Sequence, residues 1–166
     1  AKVCRQIEYR DQVELGAATT EIELGVRRPT PDRLEWAKKT LAGVKEGRRL
    51  TRPEIYAGEA LQLAAFPAKV PVLLQAMRIG SLGIAAIPCE VFAETGLAIK
   101  AASPLQPTIV VELANAYHGY LPSPRQHDLG SYETWPARSA YLEREAEPQI
   151  RAGVLGLLKR VAASNC

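Results

Sequence analysis

The sequence predicts an α/β protein, or in a looser arrangement an α+β one, with a mixed β-sheet and helices packed on it. Two observations carry this. Short apolar, β-branched runs alternate along the chain with segments whose apolar residues recur at helical spacing. Proline, glycine and capping residues punctuate nearly every change of period. With 166 residues, 47% hydrophobic and 23% charged, the chain is globular, long enough to bury a real core, and expected to be one domain over residues 1–166. A net charge of +3, from 21 basic and 18 acidic residues interleaved almost everywhere, argues against nucleic acid as a partner. No apolar run approaches the about 18 residues a transmembrane segment needs.

Residues 17–26 alternate and read as a strand. Thr30-Pro31-Asp32 supplies an N-cap, a first-turn proline and an early acid, so a helix follows through Leu34, Ala37, Leu41 and Val44 to about Lys45, closed by Gly47. Thr51-Arg52-Pro53-Glu54 is a capping box opening a second helix, with Tyr56, Ala60 and Leu63 on one side and Pro67 ending it. Val70–Ile79 and Leu82–Ile87, separated by Gly80-Ser81, form a hairpin whose second strand is expected to be buried on both faces. A helix from about Glu90 to Ala102 turns Phe92, Gly96 and Ile99 inward and stops at Ser103-Pro104. Thr108–Leu113 is another apolar strand, expected to be buried. Residues 115–141 hold five of the ten aromatic residues and five breakers, and read as a long loop of the functional or mobile kind. The last helix, from about Glu147, lines up Ile150, Val154, Leu157 and Val161.

Chemistry-bearing residues fall at the ends of apolar runs. Glu90 follows Ile87-Pro88-Cys89, where a strand gives way to the expected helix. A carboxylate there meets unpaired backbone N–H groups and is either an anionic ligand or a helix cap. Asn115-Ala116-Tyr117-His118-Gly119-Tyr120 follows a strand directly, and Tyr132-Glu133 lies twelve residues on. Each tyrosine read alone is a packing residue with a bonded hydroxyl. His118 and His127 are the two histidines, neither in a ligand-like spacing. Arg125, Arg138 and Arg144 could meet an anion, or serve as solvated surface charge, and Trp36 and Trp135 read as packing residues. Cys4, Cys89 and Cys166 cannot all pair within one chain; a terminal Cys4–Cys166 link is one option.

In their order, Pro88-Cys89-Glu90, Asn115-Ala116-Tyr117-His118-Gly119-Tyr120 and Tyr132-Glu133 resemble the neutral ceramidase family, zinc-dependent hydrolases of N-acyl amide bonds in sphingolipids. The family more often carries glycine at the position of Cys89. Further similarity to bacterial ceramidase-like proteins runs through the Glu54–Leu63 helix, the Gln75–Gly80 strand end, Ser103-Pro104 and Gly119-Tyr120-Leu121-Pro122. The resemblance is to the carboxyl-terminal part of that catalytic domain only. It implies that Glu90 and Tyr120 are zinc ligands and that Tyr132 points toward the scissile amide. It also implies a lipid amide substrate, and a secreted or periplasmic setting. The family's zinc-binding histidines and serine segment belong to the larger amino-terminal part, so this chain is expected to supply an incomplete zinc site and to need that part or a partner chain.

Two other readings stand beside it. One is a cysteine hydrolase using Cys89, with His118 or His127 as base. The other is a non-catalytic interaction subunit that keeps the fold without the chemistry. The opening Ala-Lys-Val-Cys, with neither an initiator methionine nor a signal-type apolar segment, reads as a processed chain or a fragment. A missing covering part would leave apolar surface on the Val70–Ile87 and Thr108–Leu113 strands, and with it a tendency to associate with a partner or with a second copy.

Overall fold

Buried and exposed residues alternate along β1 (Leu15–Gly25) and β2 (Lys69–Ile79), which makes them half-buried strands, and they pair antiparallel over their whole length. The computed structural model, describing residues 1–45 and 47–163, continues from β2 through a turn at Gly80-Ser81 into β3 (Leu82–Ala86), again antiparallel. Gly80 takes φ 58°, the left-handed conformation that a two-residue hairpin asks for. The chain then forms a two-residue strand β4 (Glu90–Val91), helix α3 (Ala93–Ala102) and β5 (Thr108–Val111), which returns parallel to β3. The main sheet has the order β1-β2-β3-β5 and is mixed, as the sequence predicts.

Helix α5 (Ala146–Ala163) lies across one face of this sheet and buries Ile150, Val154, Leu157, Leu158 and Val161. Opposite them are Leu24, Val72, Leu74, Ala76 and Ala85, all fully buried, so the core lies between α5 and the sheet. A Cβ built on Gly153 of α5 would stand 2.6 Å from Leu74 Cδ1, which shows how closely helix and strand approach. Helices α1 (Pro31–Ala42) and α2 (Arg52–Ala64) pack on each other around a second small core of Ala37, Ala57 and Ala60. Glu54 closes the start of α2 by accepting from the Thr51 backbone N–H at 2.7 Å and the Thr51 hydroxyl at 2.8 Å.

Four expectations need correction. Helix α1 ends at Ala42, because Gly43 has the lower helix propensity and the Val44 N–H closes the helix on the Leu41 carbonyl at 3.1 Å; it does not reach Lys45. Helix α3 begins at Ala93, with Phe92 as its cap, because Glu90 and Val91 pair as a strand with β6 (Tyr120–Leu121). Strand β5 is an edge strand rather than a buried one, leaving Ile109 and Val111 exposed. Residues 115–141 are not a structureless loop. They contain β6, the short helix α4 (Pro124–Leu129) and a 3-10 turn at Tyr132–Thr134. Arg27 anchors the end of this segment by donating from its guanidinium to the Thr134 and Ala140 carbonyls. Cys4 is exposed and unpaired, and the suggested link to Cys166 lies outside the described residues. Among the described residues no helix is long and apolar enough to cross a membrane.

Candidate functional site

Two segments far apart in sequence zip together to build the site. The backbone N–H groups of Leu113, Ala114 and His118 donate to the carbonyls of Cys89, Ile87 and Pro88, and the Glu90 N–H donates to the Gly119 carbonyl at 2.9 Å. Glu112 reaches across and accepts from the Val91 N–H at 3.0 Å. These bonds set β4 and β6 parallel, in a register that places Glu90 directly beside Tyr120. Glu90 therefore does not sit at a helix N-terminus, and its surroundings are phenolic rather than those of an unpaired amide cluster. Asn115, at φ 70°, also ties the motif to the sheet by donating to Gln75 Oε1 at 2.6 Å.

Gly119 makes this register possible. Its φ is 76°, and a Cβ at this position would stand 2.2 Å from the Ser139 carbonyl oxygen. That same carbonyl accepts the Tyr120 N–H at 2.8 Å, so Tyr120 is held from both sides.

Tyr132 closes the group. Its ring meets that of Tyr120 edge-on, with centroids 5.6 Å apart. Hydrogen bonding with Tyr132, then burial and the nearby Glu90 carboxylate, push the Tyr120 phenol well above its ordinary pKa. The Tyr117 hydroxyl lies 3.4 Å from Glu90 Oε1, a long contact, and burial followed by the Glu90 charge raises its pKa too. Glu90, Tyr120 and Tyr132 thus converge, and Tyr117 joins them. Tyr117 lies in the same six-residue motif, three positions before Tyr120; its place in the motif was the available signal.

Beside this group opens a cleft of about 740 Å³ whose wall includes Tyr132. Arg49, Arg52, Tyr56 and Trp135 line it as well. A smaller cleft of about 360 Å³ shares Arg52, Tyr56 and Trp135 and adds Trp36. Trp135 does pack, edge-on against Tyr56 at 5.1 Å, yet it also walls both clefts. The arginines singled out from sequence behave differently. Arg138 is held by Glu59 at 2.8 Å and Arg144 by Asp128 at 2.7 Å, so both are engaged within the chain.

No family model matches the sequence, and no curated protein matches it. Two solved structures are similar in part. A ceramidase complexed with C2 is 24% identical over 58% of this chain and 15% of its own, with a TM-score of 0.40. The neutral ceramidase from Pseudomonas aeruginosa is 16% identical over 90% of this chain and 28% of its own, with a TM-score of 0.48. The chain thus spans less than a third of the length of either structure.

The donor set bears on a metal. Glu90 and Tyr120 are neighbours with one carboxylate and one phenol between them, and among the described residues no three His, Cys, Asp or Glu side chains gather to hold an ion. His118 is engaged elsewhere: its Nδ1 is 2.5 Å from the Tyr141 hydroxyl, and burial lowers its pKa. His127 sits on α4, where burial, followed by Arg27 and Arg144, lowers its pKa. Two donors fit part of a zinc site and do not complete one, since a catalytic zinc takes about three protein ligands. Cys89 is fully buried, and burial pushes its thiol up to about 12. A thiol so placed is neither ionised at neutral pH nor reachable by substrate, which removes the cysteine-hydrolase reading.

Proposed function

We propose that this chain is the acid-and-phenol half of an N-acyl amide hydrolase acting on ceramide-like lipid amides. The observation that carries the reading is the juxtaposition of Glu90 with Tyr120 in the β4–β6 pair, with the Tyr132 ring against Tyr120 at the edge of the cleft. Tyr132 is more than half exposed, so its hydroxyl can meet a substrate. It donates a hydrogen bond to the oxygen that gains charge as the amide carbonyl is attacked. Glu90 and Tyr120 would hold zinc together with ligands from outside this chain, in the longer protein or in a partner. Zinc, when bound, supplies Lewis acidity at the carbonyl and lowers the pKa of a water. The Glu90 carboxylate has a further role with or without the ion: it faces the phenols of Tyr117 and Tyr120 and holds them toward one point.

The test compares the isolated chain with the longer protein or complex that contains it. The isolated chain is expected to retain little zinc and to hydrolyse fluorescent N-acyl amides negligibly, while the complete form does both. In the complete form, Glu90→Gln should deplete zinc, because a neutral amide replaces an anionic ligand. Tyr132→Phe should leave zinc content unchanged and lower kcat about 10²–10³-fold, the usual cost of one oxyanion donor. Full zinc and full turnover in the Glu90 variant would overturn the assignment. That outcome would favour the non-catalytic interaction reading, which rests on the uncovered apolar face of the sheet.

A further inference from the structure

The cleft beside Tyr132 has a chemistry that a neutral lipid amide does not use. Two guanidiniums, of Arg49 and Arg52, line it, and none of its described lining residues is acidic. The adjacent Arg48 is neutralised by Glu54, whereas neither Arg49 nor Arg52 has an ion-pair partner among the described residues. Arg52 lies over the Trp135 ring at 5.5 Å, within cation–π range. That contact steadies the guanidinium from its face and leaves its N–H edge, the fork that matches a carboxylate, available. Arg52 is also the first residue of α2, and Glu54 already occupies the cap of that helix through the Thr51 N–H. The amide groups a phosphate would seek at a helix start are thus partly taken, and the side-chain forks remain.

On the amide-hydrolase reading above, Tyr132 belongs both to the reacting group and to this cleft. A substrate whose carbonyl sits at Tyr132 therefore extends one end toward Arg49 and Arg52. We propose that this cleft binds a carboxylate on the amine half of the substrate, which narrows the class proposed above from ceramide-like lipid amides at large to those whose amine half is an amino acid. The apolar Leu50 and Ile55, in the same wall, suit the carbon skeleton beside the charge.

Binding, which needs neither zinc nor turnover, tests this separately from the hydrolase reading. N-octanoylglycine, neutral N-octanoylethanolamine and octyl phosphate are titrated calorimetrically into the chain as it stands and into Arg49→Gln/Arg52→Gln. N-octanoylglycine should bind at least about tenfold more tightly than the neutral amide, weaken as salt rises, and lose its advantage in the double variant. The Arg49→Lys/Arg52→Lys variant keeps both charges and should retain part of the advantage, and it carries the test if the glutamine variant does not fold. Equal affinity for the glycine conjugate and the ethanolamide, or a preference that survives removal of both arginines, would overturn the proposal. Tighter binding of octyl phosphate would overturn it in favour of a phosphate headgroup. An arginine-dependent preference in a protein whose complete form hydrolyses no amide would sink the hydrolase reading while leaving the carboxylate subsite standing.

Discussion

Gly119 places the candidate site more than any residue that takes part in its chemistry. Alanine there would have to adopt φ 76° and would drive its Cβ into the Ser139 carbonyl, a backbone atom with no side-chain freedom to yield. Backbone strain of this kind costs about 1–3 kcal/mol. The expected outcome of Gly119→Ala is a loss of at least that size in urea denaturation, together with a fall in the Tyr120 phenol pKa toward its ordinary value as Tyr120 leaves Glu90 and Tyr132. Spectrophotometric titration of the tyrosines checks the second effect. An unchanged phenol titration would mean that the register does not depend on Gly119. Glu90, Tyr120 and Tyr132 could be picked out of the sequence by the order of their motifs and the family resemblance these carry; read alone, Glu90 is equally a helix cap and each tyrosine a packing residue. What could not be picked out was the environment of Glu90. The sequence pattern from Glu90 onward continues into a helix without a break, and only the pairing of Val91 with Leu121 pulls the first residues into a strand. The grouping of Arg49 and Arg52 with Trp135 was illegible for a related reason: the two arginines lie more than eighty residues from the tryptophan and meet it only through the fold.

At the scale of elements, alternation along a strand makes a measurable claim about which residues matter. In β2, Leu74 points at α5 and is fully buried, while Met77, on the opposite face, is 40% exposed. Leu74→Ala should cost about 2–5 kcal/mol, since the closely approaching helix leaves a cavity that collapses poorly. Met77→Ala should change stability by no more than about 0.5 kcal/mol, as exposed positions do. Equal effects at the two positions would mean that the face opposite α5 is also filled. The capping box of α2 adds a pH dependence. Hydrogen bonding from Arg48, then from the Thr51 backbone and hydroxyl, lowers the Glu54 pKa from 4.5 to about 2. A folded-state pKa below the unfolded one contributes stability that is fully present above about pH 4.5 and is lost as pH falls toward 2. Glu54→Gln should therefore flatten the acid limb of the stability profile in that window, measured by thermal unfolding at stepped pH. Thr51-Arg52-Pro53-Glu54 announced this helix start directly, because capping is local chemistry. The end of α1 was harder: both Gly43 and Gly47 could stop the helix, and the periodic Val44 between them favoured the later one.

For the whole molecule, the decisive feature is that the sheet has only one covered face. Ala17, Met77, Ile84 and Ile109 stand in register across all four strands on the face away from α5, and Leu15, Ile79 and Leu82 form a second apolar row beside them. Met77, Ile79, Ile109 and Val111 are each at least 40% exposed, and Leu15 is 64% exposed. The apolar residues on β2, β3 and β5 led to an expectation of burial on both faces for β3 and of burial for β5. The strands formed as expected, and the second layer that would bury them is not supplied by any described residue. A continuous apolar surface of this kind is a driving force for association, because water gains by its removal. The isolated chain is accordingly expected to self-associate as concentration rises, in sedimentation velocity measurements. Met77→Lys combined with Ile109→Lys should render it monodisperse without lowering its unfolding midpoint appreciably, since both side chains already lie in solvent and a lysine stem tolerates an apolar surround. The same pair, introduced into the longer protein or complex proposed above, separates the possible occupants of the face. If the face is covered there, the two charges become buried and should destabilise the assembly, with loss of any zinc it holds; if it is free, zinc content and turnover stay as they were. A wild-type chain that remains monomeric at high concentration would show that this face needs no cover at all.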